Sequence, residues 1–281
     1  MENILKKSFE AASFIRLPNL LMVGYAQVMA AYFLADQRFF LHEKFWLLSI
    51  STIIIAASGY IINDYYDVKI DFINRPEKVV VDQKLTRRQV MTIHTILNFM
   101  GIFLGVLVSI WIGLINFLSA FLLWLYSNQL KRLPAIGNIV VSLLTSAVLL
   151  ELLILYGKGF WYFMAFSSFA FATSLMRELI KDIEDMKGDA AFGCRTLPIV
   201  LGIRPVKWII FIISLGFMVA TIIFALKIQI IAFYGFLVIM GIVMMVFNYQ
   251  LYYADTRKKF GFLSDYLKMI MIFGITSIAL F

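Results

Sequence analysis

Six aspartates at a repeated spacing are the residues best suited to chemistry. Asp64, Asp67 and Asp71 follow the pattern D-x-x-D-x-x-x-D, and Asp182, Asp185 and Asp189 repeat it with identical spacing. On a helix turning about 100° per residue, Asn63, Asp67, Asp71 and Asp64 share one face. Lys181, Asp185, Asp189 and Asp182 do the same in the second cluster, with Glu178 on that face and Glu184 pointing elsewhere. Like charges crowded together near an apolar boundary repel one another, so the arrangement calls for cations. Asp carboxylates and an Asn oxygen are hard ligands suited to Mg²⁺, which takes one or two protein carboxylates and completes its shell with water and phosphate. All six aspartates are therefore candidate metal ligands, and two facing clusters would hold Mg²⁺ ions around a phosphate-bearing ligand. The blander reading has the carboxylates solvate helix ends and pair with Lys69 and Lys187; the duplicated spacing argues against it.

A diphosphate held by Mg²⁺ leaves anionic oxygens for Arg and Lys to contact. Arg75 and Lys78 follow the first cluster, Lys181 adjoins the second and Arg195 trails it. Tyr126, Lys131 and Arg132 come from a shorter polar segment between the clusters, YSNQLKRLP. Arg132, Lys84, Arg87 and Arg88 also fit a plain topological role.

The elements that must position these groups are apolar. Of 281 residues, 62% are hydrophobic and 15% charged, far from the balance of an ordinary soluble domain. Runs long enough to cross a bilayer, about 20 residues each, recur at 17–35, 45–62, 90–111, 113–127, 135–156, 160–176, 208–226, 230–253 and 262–281. The expectation is an all-α membrane protein of nine transmembrane helices forming one domain over residues 1–281. Residues 1–16 spread their charges along an amphipathic stretch, unlike a cleavable signal peptide. One cysteine, Cys194, and two histidines, His42 and His94, exclude an internal disulfide, a cysteine-rich metal site and a histidine cage.

A net charge of +8 raises nucleic acid as a partner, and its distribution argues against it. With the spans laid alternately through a bilayer, Arg38, Lys44, Lys158 and Lys227 fall on one side and every other Lys and Arg on the opposite side. By the positive-inside rule the richer side is cytoplasmic, which puts the N-terminus inside and Phe281 outside a plasma membrane. The long polar connections 63–88 and 177–207, which carry the aspartates, fall on the cytoplasmic side as two loops. Each is trailed by arginine and proline, Arg75-Pro76 and Arg195 with Pro198, as in an internal repeat.

A diphosphate brought to such a protein suggests an isoprenoid diphosphate, its tail between the spans and its headgroup at the metals. Ionisation of an allylic diphosphate generates an electrophilic carbon for an acceptor to attack. Aromatic faces can stabilise that charge, although most of the 27 Phe, 13 Tyr and 5 Trp serve packing or interfacial anchoring. A cation-coupled transporter would also use carboxylates, but near the bilayer midplane on broken helices, whereas these lie at span ends. Glu151, inside an apolar run, is either a functional group or a partner for a polar neighbour on another helix. His94, Asn98 and Asn248 read as buried hydrogen-bonding groups and Cys194 as a small packing residue.

Together these motifs resemble the UbiA superfamily of intramembrane prenyltransferases over essentially the whole chain. N-x-x-x-D-x-x-x-D is Asn63, Asp67 and Asp71, continuing into N-R-P at Asn74 to Pro76; D-x-x-x-D is Asp185 and Asp189, with Asp182 before them. Y-S-x-x-L-K-R at Tyr126 to Arg132 resembles the family's loop between the fourth and fifth helices, and R-L-P-N at Arg16 to Asn19 its approach to the first. The resemblance implies nine helices around a central cavity, Mg²⁺-dependent prenyl transfer at the cytoplasmic end, and diphosphate contacts from Tyr126 and Lys131. It makes Arg16 and Asn19 substrate-binding candidates beside Asn63, Arg75, Lys78, Lys181, Arg132 and Arg195. Within the superfamily, RELIKDIEDMKGDAAFGCRTLPI is most similar to geranylgeranylglycerol-phosphate geranylgeranyltransferases, which use a lipid acceptor; other branches prenylate aromatic or quinone-precursor acceptors. One departure is EKVVVDQK, which stands where the family has R-P-I-P-S-G and lacks its glycine.

Overall fold

A computed structural model describes residues 15–281, with the side chain of Lys78 left out. The readings of residues 1–14, including Lys6 and Lys7, and of the Lys78 side chain lie outside the described residues. The described chain is helical, with long helices at Leu17–Ala30 (α1), Glu43–Asn74 (α2), Arg87–Val108 (α3), Ile110–Asn128 (α4), Ile136–Tyr156 (α5), Phe160–Ala191 (α6), Ile203–Ile228 (α7), Ile231–Tyr253 (α8) and Arg257–Thr276 (α9). Among the described residues, eight helices are long and apolar enough to cross a membrane, and the protein is a multi-pass membrane protein. The ninth expected span, 160–176, is also helical but falls outside that set; Trp161, Tyr162, Ser167, Ser168, Thr173 and Ser174 dilute it.

One expectation is corrected. The two aspartate clusters are not in loops: α2 and α6 each run for 32 residues and carry all six carboxylates on their final turns. No Pro or Gly interrupts the chain between Gly59 and Pro76, so α2 continues until Arg75, whose backbone is restrained by the following proline.

The chain divides into two compact units, one running up to Leu130 together with Glu151–Gly157, the other comprising Lys131–Leu150 and Lys158–Phe281. In the first, α2, α3 and α4 approach closely because glycine stands where they meet. A Cβ on Gly101 would lie 2.7 Å from Ile55 Cδ1 and 3.3 Å from the Ser51 carbonyl oxygen. Asn116 Nδ2 donates to Ser51 Oγ at 3.1 Å and to the Gly101 carbonyl at 3.0 Å, tying the three helices where little water competes. Asn98 and His94 join Ser58 in a second polar knot, with His94 Nδ1 3.1 Å from the Ser58 carbonyl and Asn98 Nδ2 3.0 Å from His94 Nε2.

EKVVVDQK, the departure from the family pattern, folds as a tight turn. Asp82 takes a positive φ of 64°, a conformation Asp tolerates better than most residues, and its N–H donates to the Leu85 carbonyl at 2.9 Å. Val81 is buried in a small cluster with Ile61, Val68 and Val90, and Thr86 with Gln89 closes a capping box at the start of α3.

The second unit is built on an apolar core that includes Met176, Leu179, Ile183, Phe233, Phe247, Phe260 and Leu263. Phe224 meets Phe166, Phe169, Phe233 and Phe281 with ring centroids 5.6–6.1 Å apart. Two lysines close the C-terminus of α8: Lys207 Nζ donates to the Tyr252 and Ala254 carbonyls at 2.7 and 2.9 Å, and Lys259 Nζ to the Tyr253 carbonyl at 3.2 Å. Cations suit the negative end of a helix. Asn248 accepts from Ser214 Oγ at 3.0 Å, and Cys194 is buried.

Candidate active site

On α2 the first motif is organised by hydrogen bonds and by an ion pair between Arg16 and Asp64. Asn63 Nδ2 donates to Asp67 Oδ2 one helical turn away, which fixes the orientation of a buried carboxylate. Arg16 Nη2 donates to Asp64 Oδ1 at 2.7 Å, and its guanidinium lies 5.0 Å from the centre of the Tyr60 ring. Burial disfavours the Arg16 charge; Asp64, Tyr60, Asp67 and Asp71 outweigh that and raise its pKa. Asp71 is half-buried one turn beyond Asp67, and its carbonyl accepts from the Arg75 N–H at 2.7 Å as the helix ends. Asn19 sits half-buried on the first turn of α1, its N–H bonded to the Arg16 carbonyl at 2.8 Å.

On α6 the second motif is held differently. Asn138 Nδ2 of α5 donates to Asp182 Oδ2 at 2.9 Å. Burial pushes the Asp182 carboxyl up to about 7 against the opposing effect of that hydrogen bond. Glu178 accepts from Arg177 Nη1 at 3.0 Å and from Lys181 Nζ at 3.4 Å. Asp185 Oδ1 stands 3.8 Å from Arg257 Nη2 of α9, and Asp189 is buried. The helix closes with Gly193 at a positive φ of 72°, as helix ends commonly do, with the Cys194 N–H on the Asp189 carbonyl at 3.0 Å.

Of the basic candidates, Tyr126 is half-buried on the last turn of α4 and Lys131 half-buried in the single 3₁₀ turn Leu130–Arg132. Arg132 and Arg195 expose their side chains, and the Arg195 N–H donates to the Arg132 carbonyl at 2.9 Å. That bond ties the segment after the second motif to the middle one. The sequence reading did not single out Asn138 or assign Arg257 a role at the motif. Asn138 had a signal, being an amide early in the apolar run 135–156, whereas Arg257 was one of three consecutive cations, RKK, without a distinguishing pattern.

The donor chemistry fits Mg²⁺. The aspartates and Asn63 are hard oxygen donors, and Asn63 with Asp67 already forms an oriented amide–carboxylate pair. Among the described residues, no three His, Cys, Asp or Glu side chains are grouped to enclose a metal by themselves.

Two relatives named digeranylgeranylglyceryl phosphate synthase align with the chain. The one from Methanosphaera stadtmanae is 31% identical over 241 residues, 83% of this chain and 85% of the relative. The one from Korarchaeum cryptofilum is 36% identical over 173 residues, 60% of each protein. Among solved structures, one reporting structural and mechanistic insights into digeranylgeranylglyceryl phosphate synthase in membranes matches with a TM-score of 0.74 at 22% identity, covering 97% of both chains. A UbiA homolog from Archaeoglobus fulgidus, solved bound to DMAPP and Mg²⁺, matches with a TM-score of 0.65 at 14% identity, covering 95% of this chain and 98% of that one. The fold is thus shared with both, and because residues 25–265 match the family itself, the chain belongs to the UbiA prenyltransferase family.

Proposed function

We propose that this protein transfers a geranylgeranyl group from its diphosphate to geranylgeranylglyceryl phosphate, forming an ether and releasing diphosphate. The observation that carries this reading is the oxygen-donor run Asn63, Asp67 and Asp71 on the last turns of α2, in a chain whose aligned relatives bear the name of that synthase. Asp64, Asp67, Asp71, Asp182, Asp185 and Asp189, helped by Asn63, are the residues that would hold Mg²⁺. When bound, the ion supplies positive charge that makes diphosphate a better leaving group.

The chain's own groups do the rest. Tyr126, Lys131, Arg75, Lys78 and Lys181 contact diphosphate oxygens, Arg132 and Arg195 add positive charge, and Arg16 with Asn19 orients substrate beside Asp64. The carbon–oxygen bond of the prenyl diphosphate breaks with its electron pair on diphosphate. The glycerol hydroxyl forms the new bond and releases its proton to solvent. The asymmetry of Lys and Arg supports a cytoplasmic N-terminus, an outer C-terminus and aspartate-bearing helix ends on the cytoplasmic side of the plasma membrane.

Purified protein given Mg²⁺, labelled geranylgeranyl diphosphate and a panel of acceptors tests the reading by mass spectrometry of the products. A labelled ether lipid from geranylgeranylglyceryl phosphate is expected. Consumption of an aromatic acid with the lipid acceptor untouched would overturn the acceptor assignment. Chelation of divalent ions with EDTA should stop turnover, and added Mg²⁺ should restore it.

A further inference from the structure

The two aspartate motifs share a spacing, yet their first aspartates are met by groups of different charge. Asp64 faces a cation, with Arg16 Nη2 at 2.7 Å. Asp182 holds the same place in the second D-x-x-D-x-x-x-D, and it is met instead by a neutral amide from another helix, Asn138 Nδ2 at 2.9 Å. The first motif also carries an amide of its own, Asn63, which orients Asp67. The corresponding position in the second motif is Lys181, whose Nζ lies 3.4 Å from Glu178, a residue that also accepts from Arg177 Nη1 at 3.0 Å. The amide donor of the second motif therefore comes from outside it.

Asn138 is placed to serve that purpose. It stands in the first turn of α5, the end of a helix that favours a neighbouring negative charge. Its carbonyl accepts from the fully buried Ser142 Oγ at 2.7 Å one turn on. An amide in the interior of an apolar helix is costly unless it is hydrogen-bonded, and Asn is a weak helix former; the bond to Asp182 offsets part of that cost. Asn138 is buried and Asp182 half-buried, so the donor lies inside while the carboxylate keeps its contact with solvent. The amide engages one carboxylate oxygen, Oδ2. A neutral donor there fixes the orientation of the carboxylate and leaves its net charge for a cation, which a guanidinium in the same place would not do.

We propose that Asn138 is a positioning residue for the second aspartate motif: through its hydrogen bond it orients Asp182 for cation binding without neutralising it. This inference rests on the reading above in which the aspartates hold Mg²⁺ beside a diphosphate. It gives the second motif an orienting amide, as Asn63 is for the first, supplied from 44 residues away. Groups that stand behind a metal ligand in this way typically change metal affinity by about 10–100-fold when they are removed.

The test titrates Mn²⁺ as a Mg²⁺ substitute, followed by electron paramagnetic resonance, into full-length protein with inorganic diphosphate present. Wild type, Asn138→Leu, Asp182→Asn and the double variant form a cycle. Asn138→Leu keeps the side-chain size and removes the donor, and it is expected to weaken Mn²⁺ binding by about tenfold or more. In the Asp182→Asn background the same substitution should cost nothing further, because the carboxylate it positions is gone. Asn138→Gln, which retains the amide, should keep more affinity than Asn138→Leu. Repeating the cycle with Asn138→Ala guards against a poorly folded leucine variant. Wild-type affinity in both Asn138→Leu and Asn138→Ala would overturn the inference, as would an equal loss in both backgrounds, the mark of a purely structural role. If wild type makes no ether lipid while the coupling between Asn138 and Asp182 persists, the functional reading fails and this inference stands.

Discussion

Asp64 and Asp67 are three residues apart and chemically identical, yet their surroundings give them different work. Asp67 is buried and oriented by Asn63, whereas the charge of Asp64 is met by Arg16 at 2.7 Å. Asp67→Asn is therefore expected to reduce prenyl transfer by about 100-fold or more, the scale seen when a preorganised electrostatic group is lost. Asp64→Asn should cost roughly tenfold or less, an effect at the size of one charged hydrogen bond. Initial rates at saturating prenyl diphosphate would check this, and equal losses would remove the distinction. Glu151 makes a similar point away from the motifs. Its Oε2 lies 2.6 Å from Thr52 Oγ1, while Thr52 also contacts the Leu48 carbonyl at 2.9 Å and accepts from Gln27 Nε2 at 3.2 Å. Thr52 has one proton for two acceptors, so a group that donates from position 151 satisfies the set. Glu151→Gln should keep near-wild-type thermal stability, and Glu151→Ala should lose about 0.6–1.7 kcal/mol, the range for hydrogen bonds between membrane helices. Of these contacts the sequence shows only that Glu151 is a carboxylate in an apolar run; the identity of its partners depends on which turns of α1 and α2 lie beside it.

Element boundaries explain where the aspartates stand. A wheel drawn from the sequence already groups each trio on one face, which is the periodicity of a helix, and the structure shows why: α2 and α6 each run on as helix well past their apolar N-terminal stretches. Length carries the carboxylates beyond the apolar run while keeping them on a rigid support. The supports are secured by close packing, and Gly101 on α3 is a sensitive position because Ile55 and the Ser51 carbonyl leave no room for a side chain. Gly101→Leu is expected to destabilise the first unit by about 1–3 kcal/mol through overpacking, read as a lower melting temperature in detergent. A variant as stable as wild type would show that α2 and α3 separate without cost. The turn at 79–86 was the least legible element. Its sequence lacks the family's glycine, and Asp82 adopts the left-handed backbone conformation instead.

At the level of the whole molecule, the distribution of Lys and Arg supports the proposed orientation, which labelling can check. The chain has a single cysteine, so in a Cys194→Ser background one new cysteine can be placed at Lys158 or at Glu77. A membrane-impermeant maleimide added to intact cells should label the 158 position and spare the 77 position until the membrane is opened; the reverse pattern would invert the proposed topology. Composition and hydropathy alone established a helical membrane protein, and the doubled aspartate spacing with N-R-P and Y-S-x-x-L-K-R pointed to its family. Both are periodic or local features, set by neighbours within a turn or by the apolar length a bilayer demands. Only the tertiary structure decided that Arg16 meets Asp64, that Asn138 holds Asp182, that Thr52 meets Glu151 and that Arg257 stands at Asp185. These partners are 44 to 99 residues apart or come from helices far apart in the chain, and no local pattern reports such contacts because they depend on which helix faces pack together.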